Sequence, residues 1–290
     1  RAESGGPPEN DIMFALKKYA SEYGCVFSDF AHCDVVVTND VFPPWVLDSE
    51  KPKIKRMDGV FWQDGGVRNE ALNQAALAAD HVVFISRYSK DSFYALYGGD
   101  LKAVSVIRNQ VDDSIFYPSR MVGPKRCVVA ATASDWGRPE KRFKDLLRFA
   151  KILGHGPLIK IMGRCEWMYP ACDIPNLTFT GNLTPEALAY ELNFSTYFVN
   201  LSYRDPAPKV VCQAVSCGLP VLYANSGGTH ELVHSGVGIE DPAPMSFENE
   251  VPSLPYDVLH KAMWDFNMNF HDLKDKARTH VSGFKSMLEA

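Results

Sequence analysis

The segment DPAPKVVCQAVSCGLPVLYANSGGTHE occupies residues 205–231. Pro208 suits the start of a helix, because the N–H that proline lacks is unpaired in the first turn of a helix anyway. Apolar residues then recur at helical spacing, and Gly218 can end the helix. The apolar run 221–223 predicts a short strand, and residues 225–228 (NSGG) predict a turn. The segment therefore predicts a helix, a strand and a glycine turn in close succession.

The glycine turn is a candidate binding element. In an open α/β sheet, the loops at the carboxyl ends of the strands line the crevice where ligands bind. Gly227 and Gly228 lack side chains, so their backbone N–H groups can approach an anion closely. A second glycine turn, which contains Gly5 and Gly6, precedes an amphipathic helix and has the same potential.

The composition excludes several classes of protein. The chain has 290 residues, of which 46% are hydrophobic and 22% charged, as in soluble globular proteins with room for two domains. A net charge of −5 argues against a nucleic-acid partner. No apolar run approaches the roughly 18 residues of a transmembrane segment, although a peripheral contact with a membrane remains compatible with the sequence. We expect a cytoplasmic protein.

The seven cysteines form no Cys-x-x-Cys pair, which disfavours structural zinc. Several lie in apolar strands or helices, so we interpret them as reduced thiols in or near the core. The histidines show no metal-ligand spacing with cysteine or carboxylate residues. We therefore expect neither a metal nor another cofactor.

Strands and helices alternate in two successive blocks, which predicts two doubly wound, Rossmann-like α/β domains. We assign residues 1–118 to an N-terminal domain whose first strand is missing, 119–125 to a linker, and 126–255 to a C-terminal domain. Helices in residues 256–290 are expected to pack back towards the N-terminal domain. The predicted strands are 33–37, 53–60, 80–86, 104–107, 127–131, 158–162, 177–179 and 197–201. The predicted helices include 68–79, 89–97, 143–153 and one that starts at Thr184.

Several motifs, taken in order, resemble the family-4-like glycosyltransferases of the GT-B fold. Residues 107–112 (IRNQVD) look like the segment that precedes the interdomain linker in that family, with Gln110 where glycine is usual. Residues 217–221 (CGLPV) and 227–231 (GGTHE) match the family without a gap. The resemblance covers roughly residues 4–240. It implies two Rossmann-like domains that hold a nucleotide sugar between them.

The resemblance also implies roles for single residues. The family usually has two glutamates eight positions apart, and Asp205 and Gln213 occupy the matching positions. Asp205 is expected to meet the donor sugar. Gln213 is expected to bind the ribose, although an amide cannot make the charge-assisted bond of a carboxylate. Lys141 matches the lysine that holds the diphosphate, and Arg138 is the candidate for its companion arginine.

The remaining predicted site residues lie on both sides of the cleft. Asp58 is expected to touch the acceptor hydroxyl, and Glu231 is expected to cap the helix that follows it. We list Asp205, Lys141, Arg138 and Asp58 as catalytic residues. The donor-binding residues are Gln213, Gly5, Gly6, Gly163, Gly227, Gly228 and Thr229.

These expectations describe an enzyme that moves a hexose-type sugar from a UDP- or GDP-sugar to a glycan, a glycoconjugate or another hydroxyl acceptor. The resemblance implies retention of configuration without a metal. A GT-B protein that binds a nucleotide sugar without turnover, and a GT-B epimerase, stay open as alternatives. An NAD-dependent oxidoreductase is disfavoured because no Gly-x-Gly-x-x-Gly follows a predicted strand.

Overall fold

Two parallel sheets organise the chain in this computed structural model. The structure describes residues 24–62, 67–119, 126–165, 174–245, 247 and 250–288. For residue 67 and residues 280–288 it describes the backbone only. The predicted glycine turn with Gly5 and Gly6, and the helix after it, lie outside the described residues. So does the predicted linker, except for Ser119.

The first sheet has four parallel strands in the order β1-β2-β3-β4. These strands are β1 (Val36–Thr38), β2 (Lys53–Met57), β3 (His81–Phe84) and β4 (Val104–Val106). The helices that accompany them are α1 (Pro44–Leu47), α2 (Val67–Ala78) and α3 (Arg87–Tyr97). Leu72 and Ala76 of α2 pack with Phe84 and Phe93 in a core of their own. The first sheet is thus a separately packed layer.

The second sheet has six parallel strands in the order β10-β9-β8-β5-β6-β7. Its strands are β5 (Val128–Asp135), β6 (Leu158–Arg164), β7 (Leu177–Gly181), β8 (Tyr197–Asn200), β9 (Val221–Ala224) and β10 (Gly236–Ile239). Its helices are α4 (Phe143–Leu153), α5 (Pro185–Asn193) and α6 (Lys209–Ser216). Relative to the chain order, this is the doubly wound arrangement in which the first and fourth strands are neighbours.

That strand order fixes where a ligand can bind. From β5 the chain adds β6 and β7 on one side of the sheet. It then returns to the middle and adds β8, β9 and β10 on the other side. The loops that follow β5 and β8 therefore diverge and leave a crevice at the carboxyl edge of the sheet. Both loops contain residues that the sequence singled out.

The C-terminal helices are α7 (Tyr256–Met268) and α8 (Phe270–Leu288). Leu259 and Phe266 of α7 and Leu273 of α8 lie in the core beneath the second sheet. Helix α7 contacts α4 and the β9–β10 edge, and α8 contacts α6. Their expected packing against the N-terminal domain stays a prediction. No helix in the described part of the chain combines the length and apolar character that a membrane span requires.

The predicted α/β architecture with two parallel sheets is confirmed, and the second sheet has the doubly wound strand order. The predicted helix 143–153 has the bounds of α4, and the hydroxyl of Thr184 caps α5 by accepting a hydrogen bond from the N–H of Ala187 at 3.3 Å. The largest difference is at the end of β5, which runs to Asp135 instead of residue 131. Strand β1 begins at Val36 instead of residue 33. The pairing of β1 with β2 starts there, where the Val36 N–H donates to the Pro52 carbonyl at 2.9 Å.

Candidate active site

The loops after β5 and β8 bring two predicted residues together. The Lys141 ammonium donates to Asp205 Oδ2 at 2.7 Å, and the two side chains are only 13% and 14% exposed. They are 64 positions apart in the chain. The contact is therefore a product of the fold, and it lies in the crevice that the strand order creates.

A buried ion pair holds the Lys141 loop in place. Residues Pro139–Lys141 form a 3₁₀ turn, and Arg142 follows it in the left-handed region at φ 51°. The Arg142 guanidinium donates to both carboxylate oxygens of Asp241, at 2.5 and 3.0 Å, and stacks 4.5 Å from the ring centre of Tyr203. Removing one partner of such a buried pair leaves an uncompensated charge, so the pair fixes this loop firmly.

A backbone contact ties the two loops directly. The N–H of Tyr203 donates to the carbonyl of Glu140 at 2.8 Å, which joins the β8 loop to the 3₁₀ turn. Lys141 follows Glu140 directly, and Asp205 lies two positions after Tyr203. Arg142 and Tyr203 were not singled out in the sequence, because their importance depends on partners that are distant in the chain.

Arg138 is placed less favourably than Lys141. Its side chain is 52% exposed and forms an ion pair with Glu140 on the same turn. An ordinary solvated arginine at the start of a helix would have the same exposure and the same kind of local partner. Its role as the companion of Lys141 stays a prediction.

The two adjacent glycines serve close packing. A Cβ at Gly227 would overlap the carbonyl oxygen of Asp205, and one at Gly228 would overlap that of Pro206. The N–H of Gly228 already donates to the Asp205 carbonyl at 2.9 Å. Only glycine lets the turn lie this close to the β8 loop. Donor binding by the turn, with Thr229 buried inside it, stays a prediction.

The other donor-binding predictions have partial structural explanations. Gln213 is 8% exposed on α6, and its contact with a ribose stays a prediction. Gly163 has φ 111°, and a Cβ there would overlap the carbonyl oxygen of Ala133 at a register shift between β5 and β6. The conformation and the close approach both require glycine at position 163. Its role in donor binding stays a prediction.

The first sheet contributes residues that face the β8 loop. Asp58 is half exposed directly after β2 and accepts a hydrogen bond from Arg56. Arg56 also donates to Asn109 Oδ1 at 2.7 Å, and Asn109 Nδ2 donates to the Ala207 carbonyl at 3.0 Å. Asn109 therefore links the two sheets through one side chain. Its motif was recognised in the sequence, but this bridging role was not.

Glu231 has a different partner from the expected one. Its carboxylate accepts hydrogen bonds from the N–H groups of Arg87 at 2.9 Å and Tyr88 at 2.8 Å, which form the first turn of α3. Arg108 lies 4.0 Å away. The expectation that Glu231 caps the following helix is wrong. Instead it caps a helix of the first sheet, because the carboxyl edges of the two sheets face each other.

The thiols near the cleft are not nucleophiles at neutral pH. Burial raises the pKa of Cys212 to about 11 and that of Cys217 to about 12, so both stay protonated. The six described cysteines form no disulfide bond with one another. Among the described residues, no three His, Cys, Asp or Glu side chains are grouped so that they could hold a metal ion.

Solved structures define the class of fold. The chain has the GT-B fold, with a TM-score of 0.68 to sucrose-phosphate synthase from Thermosynechococcus elongatus at 17% identity, over 94% of this chain and 72% of that one. HepE of Anabaena in complex with UDP-glucose gives 0.63 at 16% identity, over 86% and 74%. A glycosyltransferase from Rickettsia africae ESF-5 gives 0.64 at 15% identity, over 96% and 78%.

The sequence comparison places the family signal in the second half of the chain. Residues 137–254 match the family described as Glycosyl transferases group 1. The matched segment contains Lys141, Asp205 and Gln213, and the sequence-based resemblance to GT-B glycosyltransferases is confirmed. No curated protein sequence matches the chain significantly.

Proposed function

We propose that this chain is a glycosyltransferase that moves a sugar from a nucleoside-diphosphate donor to a hydroxyl group of an acceptor. The contact between Lys141 and Asp205 at the switch point of the second sheet carries this proposal. The family match over residues 137–254 and the GT-B fold support it. Because HepE was solved with UDP-glucose, UDP-glucose is the first donor to test.

The charges of the crevice suit a nucleoside diphosphate as leaving group. When the sugar leaves, the bond from its anomeric carbon to the diphosphate breaks and negative charge grows on the phosphate oxygens. A preoriented ammonium such as that of Lys141 stabilises this charge as it develops. The carboxylate of Asp205 holds the ammonium in position and can accept a hydrogen bond from a sugar hydroxyl. Both side chains are mostly shielded from water, which strengthens these interactions.

The acceptor completes the balance of atoms. Its hydroxyl oxygen forms the new bond to the anomeric carbon, and its proton passes to the departing diphosphate. We propose that this occurs with retention of configuration and without a metal, with Asp58 next to the incoming hydroxyl. The position of Asp58 after β2, beside the β8 loop, supports this assignment.

The test is a nucleotide-release assay over UDP-, GDP- and dTDP-sugars, with a panel of glycoside acceptors. We expect release from at least one donor, and we expect Lys141→Met to lower kcat/KM by about 100-fold or more. Lys144→Met is the matched control, because Lys144 is an exposed lysine three positions further along the same helix start. Its kcat/KM should stay within about twofold of wild type.

The outcomes separate the alternatives. Calorimetric binding of a nucleotide sugar without release would identify a non-catalytic binding protein. That alternative has support from the sequence, since Gln213 stands where the resembling family has glutamate. Conversion of the donor without acceptor, followed by NMR, would identify an epimerase. The proposal is refuted if no donor binds and no donor is turned over.

A further inference from the structure

Two arginines flank the contact between Lys141 and Asp205 along the chain. Arg142 directly follows Lys141 and has φ 51°, and Arg204 directly precedes Asp205 and has φ 53°. Among the described residues, these two are the non-glycine residues in the left-handed region. That region is costly for a residue with a Cβ, so surrounding contacts must hold it. Both strained positions therefore lie next to the residues on which the proposed reaction depends.

The guanidinium groups of the two arginines contact the same aromatic ring. Arg142 lies 4.5 Å and Arg204 lies 4.9 Å from the ring centre of Tyr203. All three residues are buried. A cation over an aromatic ring is held more strongly where water is excluded. Tyr203 thus joins the residue that follows Lys141 to the residue that precedes Asp205.

Arg204 extends these contacts to the first sheet. Its guanidinium lies 4.4 Å from the ring centre of Trp62, which is buried in the segment after β2. Among aromatic side chains, tryptophan attracts a cation most strongly. Trp62 is also 6.1 Å, centre to centre, from the ring of Phe247. We call the series Arg142, Tyr203, Arg204 and Trp62 the arginine–aromatic stack.

Other contacts orient the backbone of Arg204. Its N–H donates to Ser226 Oγ at 3.1 Å, and its guanidinium donates to the carbonyl of Pro244. A Cβ at Gly227 would lie 2.8 Å from the nitrogen of Asp205 and 3.0 Å from the carbonyl carbon of Arg204. The glycine turn therefore packs closely against the peptide bond between Arg204 and Asp205.

We propose that Arg204 is a positioning residue, and that its contact with Trp62 keeps Asp205 within reach of Lys141. If the ring of Trp62 withdraws, Arg204 loses a contact that holds its left-handed backbone. Relaxation of φ at this position rotates the peptide that follows, and the carboxylate of Asp205 moves away from the Lys141 ammonium. The first sheet thus sets the geometry of a contact in the second.

The effect on catalysis rests on the proposed glycosyl transfer, whereas the effect on geometry does not. Arg204 is only 3% exposed, so it acts through Asp205 and not on the substrate. A displaced Lys141 ammonium stabilises the departing diphosphate less, which slows the chemical step. The contact between Lys141 and Asp205 can be probed without any turnover.

The test measures how fast N-hydroxysuccinimidyl acetate acetylates Lys141 in the full chain without nucleotide. Peptide mass spectrometry gives this rate relative to that of Lys144, an exposed lysine that serves as the internal reference. In the wild-type chain the Lys141 side chain is 13% exposed and paired with Asp205, which slows its acetylation. Arg204→Gly removes the side chain from the stack and still allows the left-handed backbone. Arg204→Lys keeps the charge but not the planar guanidinium.

We expect Arg204→Gly, Arg204→Lys and Trp62→Ala each to raise the relative rate at Lys141 about tenfold, the factor that corresponds to a lost hydrogen bond between charged groups. Trp62→Phe keeps an aromatic ring at this place, so its rate should stay near that of the wild type. The rate at Lys55, which is completely buried in the first sheet, should not change in any variant. Lys55 thus reports whether a variant loosens the whole fold.

Trp264→Ala is the matched control, since Trp264 is 61% exposed on α7 and lies outside the arginine–aromatic stack. Its rates should equal those of the wild type. The inference is overturned if Arg204→Lys and Trp62→Ala leave the relative rate at Lys141 unchanged, or if Trp62→Phe raises it as much as Trp62→Ala does. It is also overturned if Lys55 reacts faster in step with Lys141, because the fold as a whole would then have loosened.

Nucleotide release is measured separately. We expect Arg204→Lys to lower kcat about tenfold and to leave the donor KM within about threefold of wild type, the pattern of an interaction made in the transition state. The expected acetylation rates without any release by the wild-type chain would refute only the proposed function. Release by the wild-type chain, with the same kcat in Arg204→Lys, would refute only this inference.

Discussion

Replacing Lys55 with methionine should stabilise the first sheet at neutral pH. Methionine has nearly the same length and fills the same space, but it brings no charge into the interior. Lys55 is completely buried, and its ammonium has a single carbonyl as described partner. The wild-type chain therefore bears a desolvation cost that the variant does not.

The pKa gives the size of that cost. Burial lowers the pKa of Lys55 from 10.5 to about 8. At about 1.4 kcal/mol per unit, this corresponds to about 3 kcal/mol of free energy of unfolding. Below pH 8 the folded and unfolded chains both carry the proton, so the cost is fully present. Between pH 8 and 10.5 only the folded chain releases it, and wild-type stability rises with pH.

The advantage of Lys55→Met should therefore be largest below pH 8 and shrink by about 3 kcal/mol towards pH 10.5. The assay is urea unfolding at several pH values, read by a brief deuterium pulse on peptides from β2 and β3. A local readout is needed because the two sheets need not unfold in one transition. The variant also loses the hydrogen bond to Arg56, which changes its free energy of unfolding by the same amount at every pH. The test therefore rests on how the stability difference between variant and wild type changes with pH.

Two results would refute the reasoning. A stability difference that does not change between pH 7 and pH 10.5 would show that the folded chain does not hold Lys55 as a destabilised ammonium. A pH dependence of the same size in Lys53→Met would show that it does not arise from the burial of Lys55.

Two further predictions concern residues 228–231, which follow β9. Glu231→Ala removes the acceptor for the N–H groups of Arg87 and Tyr88, so we expect their hydrogen exchange to speed up and the free energy of unfolding to fall by about 1–2 kcal/mol. Gly228→Ala places a methyl group against the Pro206 carbonyl, so we expect a loss of about 1–3 kcal/mol and at least tenfold weaker donor binding by calorimetry.

Each of these variants has a control within the chain. Glu231→Gln keeps one carbonyl acceptor at the same place, so it should retain most of the protection that Glu231→Ala loses. Gly156→Ala adds a methyl group with nothing within 4 Å, so its stability should stay close to wild type. Unchanged exchange in Glu231→Ala would show that the two sheets do not meet as described. Wild-type donor binding in Gly228→Ala would show that donor binding does not depend on the close packing of the glycine turn against the β8 loop.

The sequence predicted what depends on local pattern. The helix from Phe143 to Leu153 has its apolar residues at regular spacing, and the first and last of these residues are the ends of the helix. Five of the six strands of the second sheet were predicted for the same reason, but β10 (Gly236–Ile239) was not. The crevice could also be predicted, because alternating strands and helices constrain the order of strands strongly.

What could not be predicted depends on contacts between distant segments. Glu231 lies 144 positions from Arg87, and no local pattern reports that pairing. The face of β2 is a second case. Alternation alone would bury Ile54 and expose Lys55, yet Lys55 is buried and Ile54 is only half-buried. In a parallel sheet covered on both faces, hydrophobic alternation no longer tells the two faces apart.

The cap that Glu231 provides has a consequence for electrostatics. A helix N-terminus is a natural binding place for a phosphate group, because its N–H groups and its dipole favour an anion. At α3 this place is taken by a carboxylate of the same chain, which acts as an internal mimic of such a ligand. A donor diphosphate would have to compete with a tethered anion there. For the proposed donor, we therefore expect the counter-charge to come from the second sheet, where Lys141 lies.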